Sequence, residues 1–98
     1  MKVHWTANAI SHLTAIHEYV SLSSEKYAQR MVDQLTNRSV QISSFPLSGR
    51  MVPEFENENI REVFEGNYRI IYYIKSDQID VLAVVHGTQQ LQSDVADT

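Results

Sequence analysis

The 98-residue chain contains no cysteine. Disulfides, thiolate nucleophiles and cysteine metal ligands are therefore excluded, and stability has to come from packing. Two prolines and three glycines leave few places where the backbone is forced to turn. No apolar run approaches membrane-spanning length, and MKVHWTANAISH lacks the continuous apolar stretch of a secretory signal. A soluble cytoplasmic protein is expected. Positive charge is scarce as well: 8 Lys and Arg against 12 Asp and Glu give a net charge of −4. Affinity for nucleic acid is dominated by neutralising phosphates with such residues, so this balance argues against a stand-alone DNA or RNA binder.

What the chain does have is a dense apolar region from Ile60 to His86. Three β-branched and aromatic runs, Ile60–Phe64, Tyr68–Ile74 and Ile79–Val85, are separated by Glu65-Gly66-Asn67 and by Lys75-Ser76-Asp77-Gln78. Runs of this kind bounded by Gly, Asn, Asp and Ser predict three antiparallel strands joined by tight turns. If Ile74 and Ile79 close the second turn as a pair, Tyr73 faces Asp80, Ile71 faces Leu82 and Arg69 faces Val84. One face of the hairpin then carries Ile70, Tyr72, Ile74, Ile79, Val81, Ala83 and Val85 and is assigned to the core. The other carries Arg69, Ile71, Tyr73, Asp80, Leu82, Val84 and His86, with Arg69 and His86 as diagonal neighbours roughly 7–8 Å apart. That mixture of charge and large apolar groups suits a surface that receives a partner.

Upstream, Val3 and Trp5 alternate with Lys2 and His4, predicting a short first strand over Lys2–Trp5. Thr6 is placed to cap a helix running to about Val20, with Ala9, Leu13, Ile16 and Val20 as its apolar stripe. After Ser21–Ser24 a second helix is expected from Glu25 to Ser43, with Ala28, Met31, Val32, Leu35 and Ile42 inward. The short link makes the two an antiparallel hairpin lying on the sheet. Pro46 ends the second helix, and Met51–Phe55 is expected to run along a sheet edge, where Pro53 is tolerated. Residues 1–88 are read as one domain, and 89–98 as a polar tail with an acidic end.

His12 and His17 stand five apart, so they do not share a helix face as a metal pair would. Both, with His4, are read as solvated. No metal site and no cofactor are predicted. Arg61 is read as a structural ion-pair residue on the core side, His86 as a hydrogen-bonding strand end, and Tyr68, Tyr72 and Tyr73 as packing residues. Arg69 on an apolar face requires a partner charge, from Asp80, Glu62 or a bound protein.

Taken together, WTANAISHLTAIHEYV, FPLSGRMVPEF, IREVFEGNYRIIYYI and IDVLAVVHG resemble the toxins of the ParE/RelE superfamily, from bacterial type II toxin–antitoxin modules. The resemblance spans Val3 to Gly87. It implies an α+β fold of β-αα-βββ order, with the helical hairpin on one face of a small antiparallel sheet that includes the first strand. It also implies a protein antitoxin that wraps the toxin, and growth arrest and plasmid stabilisation as consequences. The RelE-like branch cleaves mRNA on the ribosome, by attack of a 2′-hydroxyl on the adjacent phosphate. That chemistry needs a base, cations for the phosphorane and an acid for the leaving oxygen. The ParE-like branch instead poisons DNA gyrase.

By this resemblance Arg69, in Tyr68-Arg69-Ile70, falls where the nucleases place a phosphate-binding arginine. Glu54 falls near a carboxylate base, and His86 near a catalytic histidine. The lysine positions of that branch, however, read Ile60 and Glu62. Past His86, Gly87-Thr88-Gln89-Gln90 supplies no Arg or Tyr. The pairs Gly49-Arg50, Pro53-Glu54 and Arg61-Glu62 look more like ParE. The expectation is a gyrase-directed toxin whose antitoxin or target contacts Arg61, Arg69, Tyr73, Leu82, Val84 and His86. On that reading, replacing Leu82 and Val84 with Asp weakens the complex and spares the fold. The alternative is a ribosome-dependent endoribonuclease using Glu54, Arg69 and His86. A third possibility is a degenerate member kept for antitoxin binding and autoregulation.

Overall fold

A computed structural model describes residues 1–89. Strand β1 (Val3–Trp5) leads into α1 (Ala7–Ser21), and α2 (Glu25–Ser44) returns antiparallel to it. A 3₁₀ turn at Pro46–Ser48 then precedes β2 (Arg50–Met51), β3 (Ile60–Glu65), β4 (Tyr68–Ile74) and β5 (Ile79–His86). Thr6 caps α1 by accepting from the Ala9 amide, as its position predicts, and Ser24 does the same for α2 through Tyr27. Gly66 has φ 57° and Asn67 a negative φ, the signs of a two-residue type II′ turn between β3 and β4.

The sheet is five-stranded in the order β1-β5-β4-β3-β2. It differs from the expected small antiparallel sheet in two respects. β1 runs parallel to β5, pairing Val3 with Ile79 and Trp5 with Val81, because the helical hairpin carries the chain back across the sheet before β2 begins. The edge strand β2 is only two residues long and starts one residue earlier than expected, and Pro53 already lies in a turn. The expected tail over 89–98 lies outside the described residues except for Gln89.

Two apolar clusters result, one on each side of the sheet. On the helix side, Ala9, Leu13 and Ile16 of α1 and Leu35 and Ile42 of α2 pack on Val63, Ile70, Tyr72, Ile79, Val81 and Val84. β1 is pinned to α2 by the bond from Trp5 Nε1 to Ser39 Oγ at 2.9 Å. On the outer side, Val52 and Phe55 from the segment after β2 fold over Ile60, Ile71, Tyr73, Leu82, Ala83 and Val85. The face expected to await a partner is thus largely covered by the chain itself.

The register expected for β4 and β5 holds for Ile74↔Ile79 and Tyr73↔Asp80 and then breaks. Tyr72 pairs with Val81, but Ile71 pairs with Ala83, Ile70 with Val84, Arg69 with Val85 and Tyr68 with His86. Leu82 is the extra residue of a β-bulge. Beyond it every side chain changes face. Ala83 and Val85, expected in the core beneath the helices, join the outer cluster. Val84, expected outside, joins the helix-side core. His86 takes the face of Tyr68, whose ring it meets edge-on at 6.0 Å. Arg69 and His86 therefore lie on opposite faces, and the functional surface that joined them does not exist.

Candidate functional site

Arg69 sits mid-sheet on the outer face with only 5% of its side chain exposed. A guanidinium in such a place needs compensating charge, and two carboxylates provide it. Glu54 takes both terminal nitrogens in a forked pair, at 2.9 and 2.8 Å. Glu62 accepts from Nε at 2.6 Å, and the Gln89 carbonyl accepts from Nη1 at 3.2 Å. The hydrogen bonds to Glu54, reinforced by Glu62, hold Arg69 protonated more firmly than an ordinary arginine, against the opposing effect of burial. Of the partners anticipated for Arg69, Glu62 is the one found. Asp80 pairs instead with Lys75, at 2.6 Å.

The Glu62 side chain is fully buried, and its second oxygen accepts from Arg50 Nε. The chain Arg50–Glu62–Arg69–Glu54 alternates in sign and sums to zero. β2 sets Arg50 opposite Glu62, and β3 and β4 set Phe64 opposite Arg69. The Arg50 guanidinium lies 5.3 Å from the Phe64 ring centroid, a cation–π distance. Its side chain is 59% exposed, so Arg50 is the accessible cation of the group. It lines, with Pro53, Glu54, Arg69 and residues 87–89, a shallow hollow of about 420 Å³. Arg50 was not among the site residues expected from sequence. No local signal marked it, because the pairing of Arg50 with Glu62 across β2 and β3 is set by the sheet register.

The other expected site residues disperse. Arg61 lies opposite Tyr72, hence on the helix side as expected. It is held by the carbonyls of Glu58 at 2.7 Å and Gly49 at 3.2 Å, in place of the ion pair expected. Tyr73 packs in the outer cluster. Leu82 and Val84 are 2% and 3% exposed, so neither offers a contact surface in the free protein. His86 is exposed, and its Nδ1 lies 2.9 Å from Thr88 Oγ1. His12, expected to be solvated, is half-buried, and its Nδ1 accepts the Val84 amide at 3.0 Å. Among the described residues no cluster of three or more His, Cys, Asp or Glu is arranged to hold a metal ion, and no helix is long and apolar enough to cross a membrane.

A two-helix layer on a five-stranded mixed sheet is the α+β architecture that the sequence resemblance implies. The family described as ParE toxin of type II toxin–antitoxin system matches residues 3–91, and the chain belongs to it. A curated relative, Toxin RelE2 of Caulobacter vibrioides, is 29% identical over 89 residues, covering 90% of this chain and 97% of that protein. Among solved structures, the chromosomal ParDE system of P. aeruginosa superposes with a TM-score of 0.72 at 21% identity, covering 88% of this chain and 95% of that one. The RelBE2 toxin–antitoxin complex of Mycobacterium tuberculosis gives 0.65 at 20% identity, covering 87% and 95%. These last two likenesses establish the shared fold.

Proposed function

We propose that this type II toxin acts on DNA gyrase and is neutralised by a cognate protein antitoxin. One observation carries the choice of target: the groups a ribonuclease would need are not jointly presented. Arg69 is engaged by Glu54 and Glu62, and His86 lies on the other face of the sheet. A 2′-hydroxyl attack requires a carboxylate with a lone pair directed at the hydroxyl and a cation directed at the phosphate. Here the Glu54 carboxylate is turned onto the guanidinium it would have to work beside. The low count of basic residues adds to this, since a ribosome ligand gains from phosphate neutralisation. The test is supercoiling by purified gyrase. Added toxin should inhibit supercoiling or trap cleaved DNA, and absence of both at growth-arresting levels would refute the proposal.

The name of the curated relative, RelE2, favours a second reading, a ribosome-dependent mRNA endoribonuclease using Glu54 and Arg69. It expects Glu54→Gln to abolish transcript cleavage and growth arrest together. Intact transcripts in arrested cells would eliminate it. On either reading the hollow beside Arg50 and the exposed Phe64 ring next to it form the antitoxin-facing surface. Arg50→Ala should weaken the toxin–antitoxin complex while the toxin stays folded.

A further inference from the structure

We infer that His12, reaching β5 from the helix layer, is the positioning residue that holds the outer face in its bulged register. β1 pairs with β5 only as far as Trp5↔Val81, after which the chain departs into α1. From Leu82 onward that edge of β5 has no strand beside it. Polar groups around the start of α1 take the strand's place. The Thr6 amide and hydroxyl donate to the Val81 carbonyl at 3.1 and 2.8 Å. Asn8 Nδ2 donates to the Leu82 carbonyl at 2.8 Å. His12 Nδ1 accepts from the Val84 amide at 3.0 Å. Asn8 and His12 are four apart and so share one helix face.

The pattern depends on the bulge. In a regular strand the backbone groups of residues i and i+2 face one edge and those of i+1 the other. The carbonyls of Val81 and Leu82 can both face α1 only if the strand is irregular between them, and Val84 then shares the edge of Leu82. In the unbulged register, with Ile71 opposite Leu82, the Val84 amide would turn toward β4 and His12 would have no partner. Ala83 and Val85 would also leave the outer face. The His12–Val84 bond therefore exists in one register and not in the other.

The bond also fixes the proton on the ring. Because Nδ1 accepts, the neutral imidazole carries its hydrogen on Nε2. A protonated ring would set an N–H against the Val84 N–H. Burial disfavours that charged form and moves His12 below the usual imidazole range. Of the groups lining the pocket beside His12, Tyr68 from β4 and His86 from β5 are titratable. Among the described residues no carboxylate, lysine or arginine lines it.

Amide hydrogen exchange and cross-strand NOEs on the purified toxin test this, for the wild type, His12→Asn and His12→Ala. The Asn carbonyl can accept as Nδ1 does but does not titrate. Val84 should exchange about tenfold faster in His12→Ala, the worth of one hydrogen bond, and normally in His12→Asn. As pH falls below the ordinary imidazole value, about 6.5, the wild type should lose Val84 protection, while His12→Asn does not. Equal protection in all three proteins would overturn the proposal. So would the same pH dependence in wild type and His12→Asn, a comparison that stands even where His12→Ala fails to fold. Antitoxin affinity forms a separate arm, which rests on the outer face being the partner surface. Faster Val84 exchange with unchanged affinity would remove that surface assignment and leave the register role standing.

Discussion

At the scale of single residues, the arginine that the family resemblance marks as functional is also a structural cation. Among the described residues, removing Arg69 leaves the fully buried Glu62 with Arg50 as its one remaining ion-pair partner. Breaking a buried pair from one side typically costs 3–5 kcal/mol, because a desolvated charge is stranded. Arg69→Ala should therefore lower stability by about 3 kcal/mol or more, read as a reduced urea midpoint. A loss of toxicity in that variant reports unfolding as much as chemistry. A second expectation concerns Gly49. A Cβ there would collide with the Tyr72 hydroxyl and come within 2.7 Å of the Glu62 carbonyl oxygen. Tyr72 cannot yield, since it is fully buried and donates to the Pro46 carbonyl at 2.5 Å. Overpacking of this kind costs about 1–3 kcal/mol, so Gly49→Ala should show a loss of that size in chemical denaturation.

At the scale of the elements, the bulge in β5 overturns the substitution that the sequence recommends. With Val84 in the helix-side core and Leu82 beneath Val52 and Phe55, Asp at both positions should unfold the toxin. Circular dichroism of the double variant checks this; a native spectrum would contradict the burial described. The turn between β4 and β5 adds a pH dependence. Burial raises the Asp80 carboxyl, but the bonds from Lys75 and Gln78 outweigh it and leave the group below the usual aspartate range. A depressed native value means the stabilisation is complete above the unfolded value, about pH 4, and is lost as pH falls toward the native one. His12 works in the same sense at higher pH, its contribution fading below about pH 6.5. Asp80→Asn should flatten the acid limb of the stability profile measured by thermal melting, and His12→Asn the limb near pH 6.

At the scale of the molecule, the two faces of one sheet are divided between helices and loop. The helical hairpin covers one side, and the segment from Val52 to Phe55 covers most of the other. The hollow beside Arg50 stays open on the outer side. A binding partner would find there one exposed guanidinium, one aromatic ring and the neutralised Arg69 clamp. The overall charge of −4 makes a purely electrostatic encounter with nucleic acid a weak one.

Helix positions, caps, the three long strands and the two hairpin turns were legible in the sequence, because periodicity, capping residues and turn residues are local signals. The family was legible for the same reason: its motifs are contiguous. The face of each residue past Leu82 was not. Val81–Val85 is apolar throughout, so no alternation records which side chain points where, and a single extra residue reverses the assignment. Three side-chain hydrogen bonds from around the start of α1, more than seventy residues away in the chain, fix that register. Whether Arg69 is a free cation or a clamped one was likewise decided by tertiary structure, because its charge balance is set by Glu54 from a loop and Glu62 from a neighbouring strand. Local chemistry determined the elements; the compensation of buried charge and the satisfaction of one strand edge determined what they present.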